Sequence, residues 1–340
     1  MRVLVTGAFG NVGTFAVREL VWRGHEVRCL DLPTGPNRRA ARRLARWADR
    51  FGGRMEVVWA DLRRPREVAA AVSGAEGVVH LAGIIPPLSE ARPEWAREIN
   101  VGGTRNLLEA ARLLPVPPRV VLASSVSVFG RAQDLPPPRT AADPVEPSDH
   151  YSAHKIEAER MLQASGLPWV ILRFGAIPAL QLKVFDALTL RTMFEVPLDT
   201  RIELIHPADA GLAAANAVLS PKVWGKVLLV GGGPSCQLYQ RVYVGRLLEA
   251  AGVGRLPESA FGHTPFYTDW MDTTESQALL DYQRHTTADF TREMAQALGW
   301  KRHLAVMFRP IARNWILRFS PYYDRHRQPL RGRRVRLVQP

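Results

Sequence analysis

The chain opens with a short apolar run, Arg2-Val-Leu-Val-Thr6, that breaks at Gly7, after which apolar residues return at helical intervals at Val12, Ala16, Val17 and Leu20. A short apolar run followed by that spacing predicts a buried strand feeding a helix. The pattern repeats. Strands are predicted at 26–31, 55–60, 77–81, 119–123 and 169–174, with helices at 64–72, 92–114 and from about 151 onward. The 77–81 run is almost wholly apolar, as a strand covered by helices on both faces should be. Strands alternating with helices predict an α/β fold, a doubly wound parallel sheet whose ligands lie beyond the strand C-termini. After 174 the alternation loosens. A strand at 203–205, an alanine-rich helix over 206–219, a strand at 227–230 closed by Gly231-Gly232-Gly233, and helices at 237–251 and 288–298 read as a smaller lobe. The expected division is 1–175, an interleaved lobe over 176–300, and a C-terminal tail over 301–340.

Two glycines inside the expected long helix, Gly102 and Gly103, cost roughly 1 kcal/mol each, so close packing is expected there. His80, inside a strand, reads as a packed residue. With 340 residues, 46% of them hydrophobic, the chain can bury a large core. It has no apolar stretch of membrane-spanning length and begins on a strand rather than a leader, so a cytoplasmic protein is expected. Cys29 and Cys236 are the only cysteines, and Cys29 falls in a strand, where a buried thiol is expected rather than a disulfide or metal ligand. No metal site is expected.

The net charge of +13 is uneven: from Lys301 onward eleven Lys/Arg face the single acid Asp324, a surplus of ten. The body is nearly neutral, and no nucleic-acid-binding motif accompanies the basic tail. In that tail Leu304, Met307, Phe308, Ile311, Trp315 and Phe319 recur at helical spacing, interrupted by Pro310, which should split the helix. Beyond Pro321 the run Arg325, Arg327, Arg331, Arg333, Arg334 and Arg336 is strongly basic. Such a segment can make a weak peripheral contact with anionic membrane. The expectation favours the plainer alternative, in which the stripe packs on the chain's own lobe.

The chemistry-bearing residues follow the strands. Gly7-x-x-Gly10-x-x-Gly13 lies between strand and helix. There Gly7 permits the tight turn, Gly10 lets a pyrophosphate approach the backbone, and Gly13 lets the helix pack closely. Asp31 ends the second strand, eighteen residues after Gly13. An acid there accepts from adenosine ribose hydroxyls and repels a 2′-phosphate, favouring NAD over NADP, although Arg38, Arg39, Arg42 and Arg43 are close by. Leu81, Ala82 and Gly83 are residues on which a flat cofactor could lie. Residues 131–148 are proline-rich and read equally as a substrate cover or a spacer. Tyr151-x-x-x-Lys155 puts a phenol and an ammonium on one helical face, which suits a tyrosine acid/base with a lowered pKa.

Taken in order, these pieces resemble the extended short-chain dehydrogenases/reductases, in the NAD-dependent epimerase/dehydratase branch. The resemblance rests on Thr6-Gly7-x-x-Gly10-x-x-Gly13, Asp31, Asp61-Leu62, Leu81-Ala82-Gly83, Asn100 with Gly103-Thr104-x-Asn106-Leu107, Ser124-Ser125-x-x-Val-Phe129-Gly130, Tyr151-x-x-x-Lys155, Arg173 and His206-Pro-Ala-Asp209, over roughly residues 1–300. It implies a Rossmann domain with a small C-terminal substrate lobe. Tyr151 would be the general acid/base, Lys155 would hold the nicotinamide ribose and depress the tyrosine pKa, and Ser125 would hydrogen-bond the reacting oxygen. Ser127 would be auxiliary, with Ile84 beside the substrate. Phe9, Asn11, Val12 and Phe174 would join the cofactor site, Asp61 and Leu62 would flank adenine, and Asn100 would stand nearby. The family also commonly dimerises through the helices at 92–114 and from Tyr151, where Leu107, Ile156 and Met161 could serve either interface or core.

The chain departs from sugar-nucleotide members in three places. Arg173-Phe-Gly175-Ala176-Ile-Pro178 has no asparagine to hold a substrate diphosphate, Phe129 replaces a usual tyrosine, and Ile84-Ile85-Pro86-Pro87 makes one entrance apolar. The implied enzyme transfers hydride between nicotinamide and the secondary alcohol or ketone carbon of a small molecule, either a sugar nucleotide or a less polar hydroxy or keto compound. The competing reading is a non-catalytic dinucleotide-binding regulator or scaffold.

Overall fold

The computed structural model describes residues 1–179 and 187–323. The arginine-rich run from Arg325 to Arg336 lies outside the described residues. The first half runs β1 (Arg2–Thr6), α1 (Gly13–Trp22), β2 (Glu26–Asp31), α2 (Gly35–Arg50), β3 (Arg54–Trp59), α3 (Pro65–Val72) and β4 (Gly77–His80). It continues through α4 (Leu88–Ala91), α5 (Pro93–Arg97), a π-helical stretch (Glu98–Gly103), α6 (Thr104–Arg112), β5 (Arg119–Ser125), α7 (His150–Gln163) and β6 (Trp169–Phe174). Then come α8 (Ala187–Glu195), β7 (Arg201–Glu203), α9 (Pro207–Leu219), β8 (Lys226–Val230), β9 (Gln237–Tyr239) and α10 (Gln240–Ala250). The helices α11 (Thr274–Leu280), α12 (Thr287–Leu298), α13 (Lys301–Met307) and α14 (Arg309–Leu317) complete the described chain.

Seven strands form one sheet in the order β3-β2-β1-β4-β5-β6-β8, every neighbouring pair parallel. Alternation along β1 sends Val3 and Val5 into an apolar layer with residues of α1, α2 and α9. Leu4 goes to the opposite layer with residues of α3, α6 and α7. The strand order reverses between β1 and β4, and a crevice at such a reversal is where open α/β sheets take ligands.

Contacts divide the chain into two compact units. The first holds residues 1–179, 201–238 and 267–290; of the described residues, the second holds 187–200, 239–266 and 291–323. The segment expected as one lobe, 176–300, therefore contributes to both. The reason is β8, which bonds onto β6 as the seventh strand, and α9, which lies on α1 so closely that a Cβ on Gly211 would stand 2.5 Å from that of Phe15. The expected strand at 203–205 is instead β7 at Arg201–Glu203, paired with β9.

The expected helix at 92–114 runs without interruption from Pro93 to Arg112, its turns widened to π-helical over Glu98–Gly103 between α5 and α6. Gly103 is closely packed, its would-be Cβ 2.8 Å from that of Leu62, whereas Gly102 faces open space. Leu107 and Ile156 are buried within the chain's own core and Met161 is packed against it. Cys29 and Cys236 are buried and free. No described helix is long and apolar enough to cross a membrane.

In the second unit the rings of Phe194 and Phe261 meet at 5.2 Å. Pro310 separates α13 from α14, as the sequence predicts, by falling in the first turn of α14. The apolar stripe does not pack as expected: Leu304, Met307, Phe308, Ile311 and Trp315 are exposed, while the neighbouring Ile316 and Leu317 are buried.

Candidate active site

The site begins at the turn after β1. Gly7 takes a φ of +65°, and a Cβ there would lie 2.9 Å from the Ala82 backbone, so the turns after β1 and β4 touch. A Cβ on Gly13 would stand 2.1 Å from the Gly7 carbonyl oxygen; only glycine lets α1 begin there. Val12 occupies the N-cap of α1 without a side-chain cap. The N–H groups of Thr14 and Phe15 are taken by the Gly10 and Val12 carbonyls, and the positive end of the helix dipole faces the turn, an arrangement suited to phosphate. Asn11 Nδ2 donates to the Pro178 carbonyl (3.2 Å).

Asp31 ends β2 beside this turn. One of its oxygens accepts from the Phe9 N–H (3.0 Å) and the other from the Leu32 N–H (2.8 Å) and Asn37 Nδ2 (2.9 Å). Burial raises its pKa, while the two backbone donors pull it down. The Phe9 ring turns inward against Trp59 (5.5 Å between centroids). Arg38 lies over the Trp59 ring and donates to the Pro33 carbonyl. The carboxylate of Asp61 is gripped by Arg63 (2.6 Å), and Asn106 Nδ2 holds the Leu62 carbonyl (2.8 Å).

The loop after β4 is fixed from the π-helical stretch. Asn100 is buried, accepts from the Ile84 N–H (2.7 Å) and donates to the Ile84 carbonyl (2.8 Å). Its amide thus clamps the backbone of Ile84 from both sides. A Cβ on Gly83 would meet Asn100 Oδ1 at 3.2 Å and Lys155 Nζ at 3.6 Å, so these three positions converge. His80 is the packed residue expected, bonded to Thr6 (2.7 Å) and Thr104 (2.9 Å) and held neutral by burial, its pKa pushed down to about 3.

Ser125 is the last residue of β5, two residues beyond the expected strand end. Its Oγ accepts from both the N–H (3.2 Å) and the hydroxyl (3.0 Å) of Ser127. A hydroxyl has two acceptor sites and one hydrogen, so the Ser125 hydrogen remains to be donated, and Ser125 stands near enough to Tyr151 to pull the phenol pKa down. Ser127 thus orients Ser125 and leaves it one hydrogen to give. The expected depression of the tyrosine is not what the structure has: burial pushes the Tyr151 phenol above its ordinary value, and the Ser125 bond only opposes this. Lys155 Nζ donates to the Ala123 carbonyl (2.8 Å) and lies 5.6 Å from the Tyr151 ring centre. Burial lowers the lysine to about 8, against the pull of Glu159.

Residues not singled out from the sequence hold α7 in place. Asp149 and Ser152 form a reciprocal capping box, legible in hindsight as an Asp-x-x-Ser spacing. Glu90 on α4 accepts from the backbone N–H groups of His150 and Tyr151 (both 3.1 Å). Glu159, buried, pairs with Arg173 (2.8 Å) and accepts from Ser124 (2.5 Å), and Arg173 also covers the ring of Phe129. Phe174, by contrast, is part of the apolar core under the sheet. The proline-rich loop is tied down: Arg139 pairs with Asp143 and Asp269, and Arg201 donates to the carbonyls of Gln133 and Leu135. Asp209 accepts from the backbone of Arg284 and His285 and from the His285 ring (2.6 Å).

Comparison with known proteins agrees with this architecture. The chain is 36% identical over 113 residues to human 3 beta-hydroxysteroid dehydrogenase type 7, covering 32% of this chain and 28% of that protein. It is 33% identical over 181 residues to sterol demethylase protein B of Methylococcus capsulatus, covering 52% of each. The chain thus spans about half, or less, of the length of these curated relatives. Its fold matches the UDP-glucose 4-epimerase of Thermus thermophilus, solved with NAD, at a TM-score of 0.71 and 24% identity, covering 87% of this chain and 98% of that one. The pattern of the NAD dependent epimerase/dehydratase family matches residues 3–177, and the chain belongs to that family.

Proposed function

We propose that the protein is an NAD-dependent oxidoreductase that moves hydride between nicotinamide and the secondary carbinol carbon of an apolar, alicyclic hydroxy or keto compound. The observation that carries this is the Ser125 hydroxyl, oriented by Ser127 with one hydrogen left to give, together with Tyr151 and with Lys155 beside Gly83. The glycine turn fits the pyrophosphate of NAD, since a Cβ on Gly10 would meet only the Gly7 carbonyl oxygen, at 3.2 Å, which leaves the backbone there open to approach, and Asp31 is placed for the adenosine ribose. When bound, NAD supplies the hydride acceptor. Ser125 donates to the substrate oxygen, Tyr151 takes the hydroxyl proton, and Lys155 favours the anionic phenolate. The alcohol loses one hydride and one proton and becomes a ketone.

The apolar substrate is supported by Ile84, whose backbone Asn100 fixes at the site, and by the exposed Ile85 next to it. The hydroxysteroid and sterol enzymes among the relatives agree. A second reading, transient oxidation within an epimerase or dehydratase cycle on a sugar nucleotide, is favoured by the nearly full-length match to the Thermus epimerase. A cytoplasmic homodimer and a peripheral membrane contact of the C-terminal segment complete the proposal. The test is a panel of steroid alcohols and UDP- and dTDP-sugars, followed by NADH absorbance and product chromatography. Steroid-like alcohols should yield NADH, and Tyr151→Phe should lower turnover at least a hundredfold, the usual scale of acid/base catalysis, while NAD still binds. Isomerised sugar without net NADH would replace this reading with the second, and undiminished turnover by the Phe variant would remove the acid/base.

A further inference from the structure

The second unit carries a surface that the catalytic reading does not use. Trp300, Leu304, Met307, Phe308, Ile311 and Trp315 are all exposed along α13 and α14, Met307 by 70% and Ile311 by 66%. These helices are anchored from their other side. Arg309 Nε donates to the Gly252 carbonyl (3.2 Å), Ile316 and Leu317 are buried, and Ser320 Oγ donates to the Ala260 carbonyl (2.5 Å). The apolar face is therefore held outward by a built scaffold. Six large apolar residues within sixteen positions far exceed the scattered singles normal on a surface.

The charges carried by these helices themselves have one sign. From 301 to 323 the charged residues are Lys301, Arg302, Arg309, Arg313 and Arg318, with no Asp or Glu. Tryptophan stands at both ends of the patch, with phenylalanine and aliphatic residues between them. An apolar strip with indoles and flanking cations matches the lipid interface, where the rings sit at headgroup depth and arginines meet anionic headgroups. We infer that α13 and α14 form a docking face for an anionic lipid bilayer, on which the enzyme rests peripherally. This stands on the second unit alone and does not depend on the catalytic assignment, although a surface-bound enzyme would meet a lipid-dissolved alcohol where it is most concentrated.

The full chain should be sedimented with vesicles of phosphatidylcholine alone and of phosphatidylcholine with phosphatidylglycerol, alongside a Met307→Glu/Ile311→Glu double variant and Tyr151→Phe. At low salt the wild type and Tyr151→Phe should pellet with the anionic vesicles, bind neutral ones at least tenfold less, and be released by salt. The double variant, altered only at exposed positions, should bind at least tenfold less with an unchanged circular dichroism spectrum. Wild type left in the supernatant with anionic vesicles overturns the inference. So does a double variant that pellets like wild type, which would move the binding to the terminal arginines. If light scattering gives a dimer that the double variant dissolves, with no vesicle binding, the face joins two copies instead. Binding by Tyr151→Phe separates the outcomes, because docking survives even where the proposed chemistry fails.

Discussion

At Ser125 a count of lone pairs decides which way a proton can point. Ser127 fills both acceptor sites, and changing it to alanine removes the hydroxyl donor while keeping the backbone one, which loosens Ser125 without unmaking the site. Ser127→Ala is expected to lower kcat about five- to tenfold, the scale of one neutral hydrogen bond of about 1 kcal/mol, with NADH affinity unchanged; an unaltered kcat would show that this hold on Ser125 is idle. Lys155 gives a pH-dependent counterpart. Its ammonium, held near about 8 by burial, loses its charge as pH rises through that value. NADH affinity should then fall about tenfold between pH 7 and 9.5, as a charge-assisted bond is lost. Lys155→Arg, which does not titrate there, should stay flat. The unfolded lysine keeps its proton to about 10.4, so the unfolded chain binds more protons in that interval and stability rises with pH. The buried thiols of Cys29 and Cys236, held protonated in the folded chain, contribute the opposite slope, so the comparison with Lys155→Arg, and not the melting temperature, isolates the lysine. The positions of Gly7, Gly13, Tyr151 and Lys155 were legible because each is fixed by local spacing. The orientation of Ser125 by Ser127 was not, since it depends on which hydrogen fills which lone pair.

The start of α7 shows how one element positions another. Its first N–H groups are taken by Asp149 within the chain's local run and by Glu90 from sixty residues earlier. Glu90→Gln keeps one acceptor and removes the charge from the helix N-terminus. It should cost about 0.3–1 kcal/mol of stability and a several-fold loss of kcat, with KM for NAD unchanged; equal loss from a distant surface substitution of the same stability cost would leave Glu90 no positioning role. The capping box could be read locally, but Glu90 could not, because its contact exists only once α4 has folded back on α7. The widened turns within the predicted 92–114 helix have the same origin. Pro93 and Gly102-Gly103 announce irregularity, but the π-helical widening that turns Asn100 onto Ile84 is chosen by that long-range pair of hydrogen bonds.

At the scale of the whole molecule, the alternation of strands and helices made the doubly wound sheet legible up to β6. Beyond it, Val227–Val230 reads as a strand but does not say which sheet it joins, for an apolar run looks alike in either. Its place beside β6, and that of α9 on α1, means the family match ends at residue 177 in the middle of the first unit. A ribosome that has released only residues 1–177 presents a sheet with an unpaired parallel edge and an α1 face lacking its cover, both prone to association between chains. Expressed alone, residues 1–177 should aggregate, whereas a chain carried to residue 323 should stay dispersed; a soluble, cooperatively melting 1–177 fragment would show that the seventh strand is dispensable. Nascent chains should therefore need protection until β8 and α9 emerge, so the most vulnerable interval of synthesis comes after the recognisable dinucleotide motif is already complete.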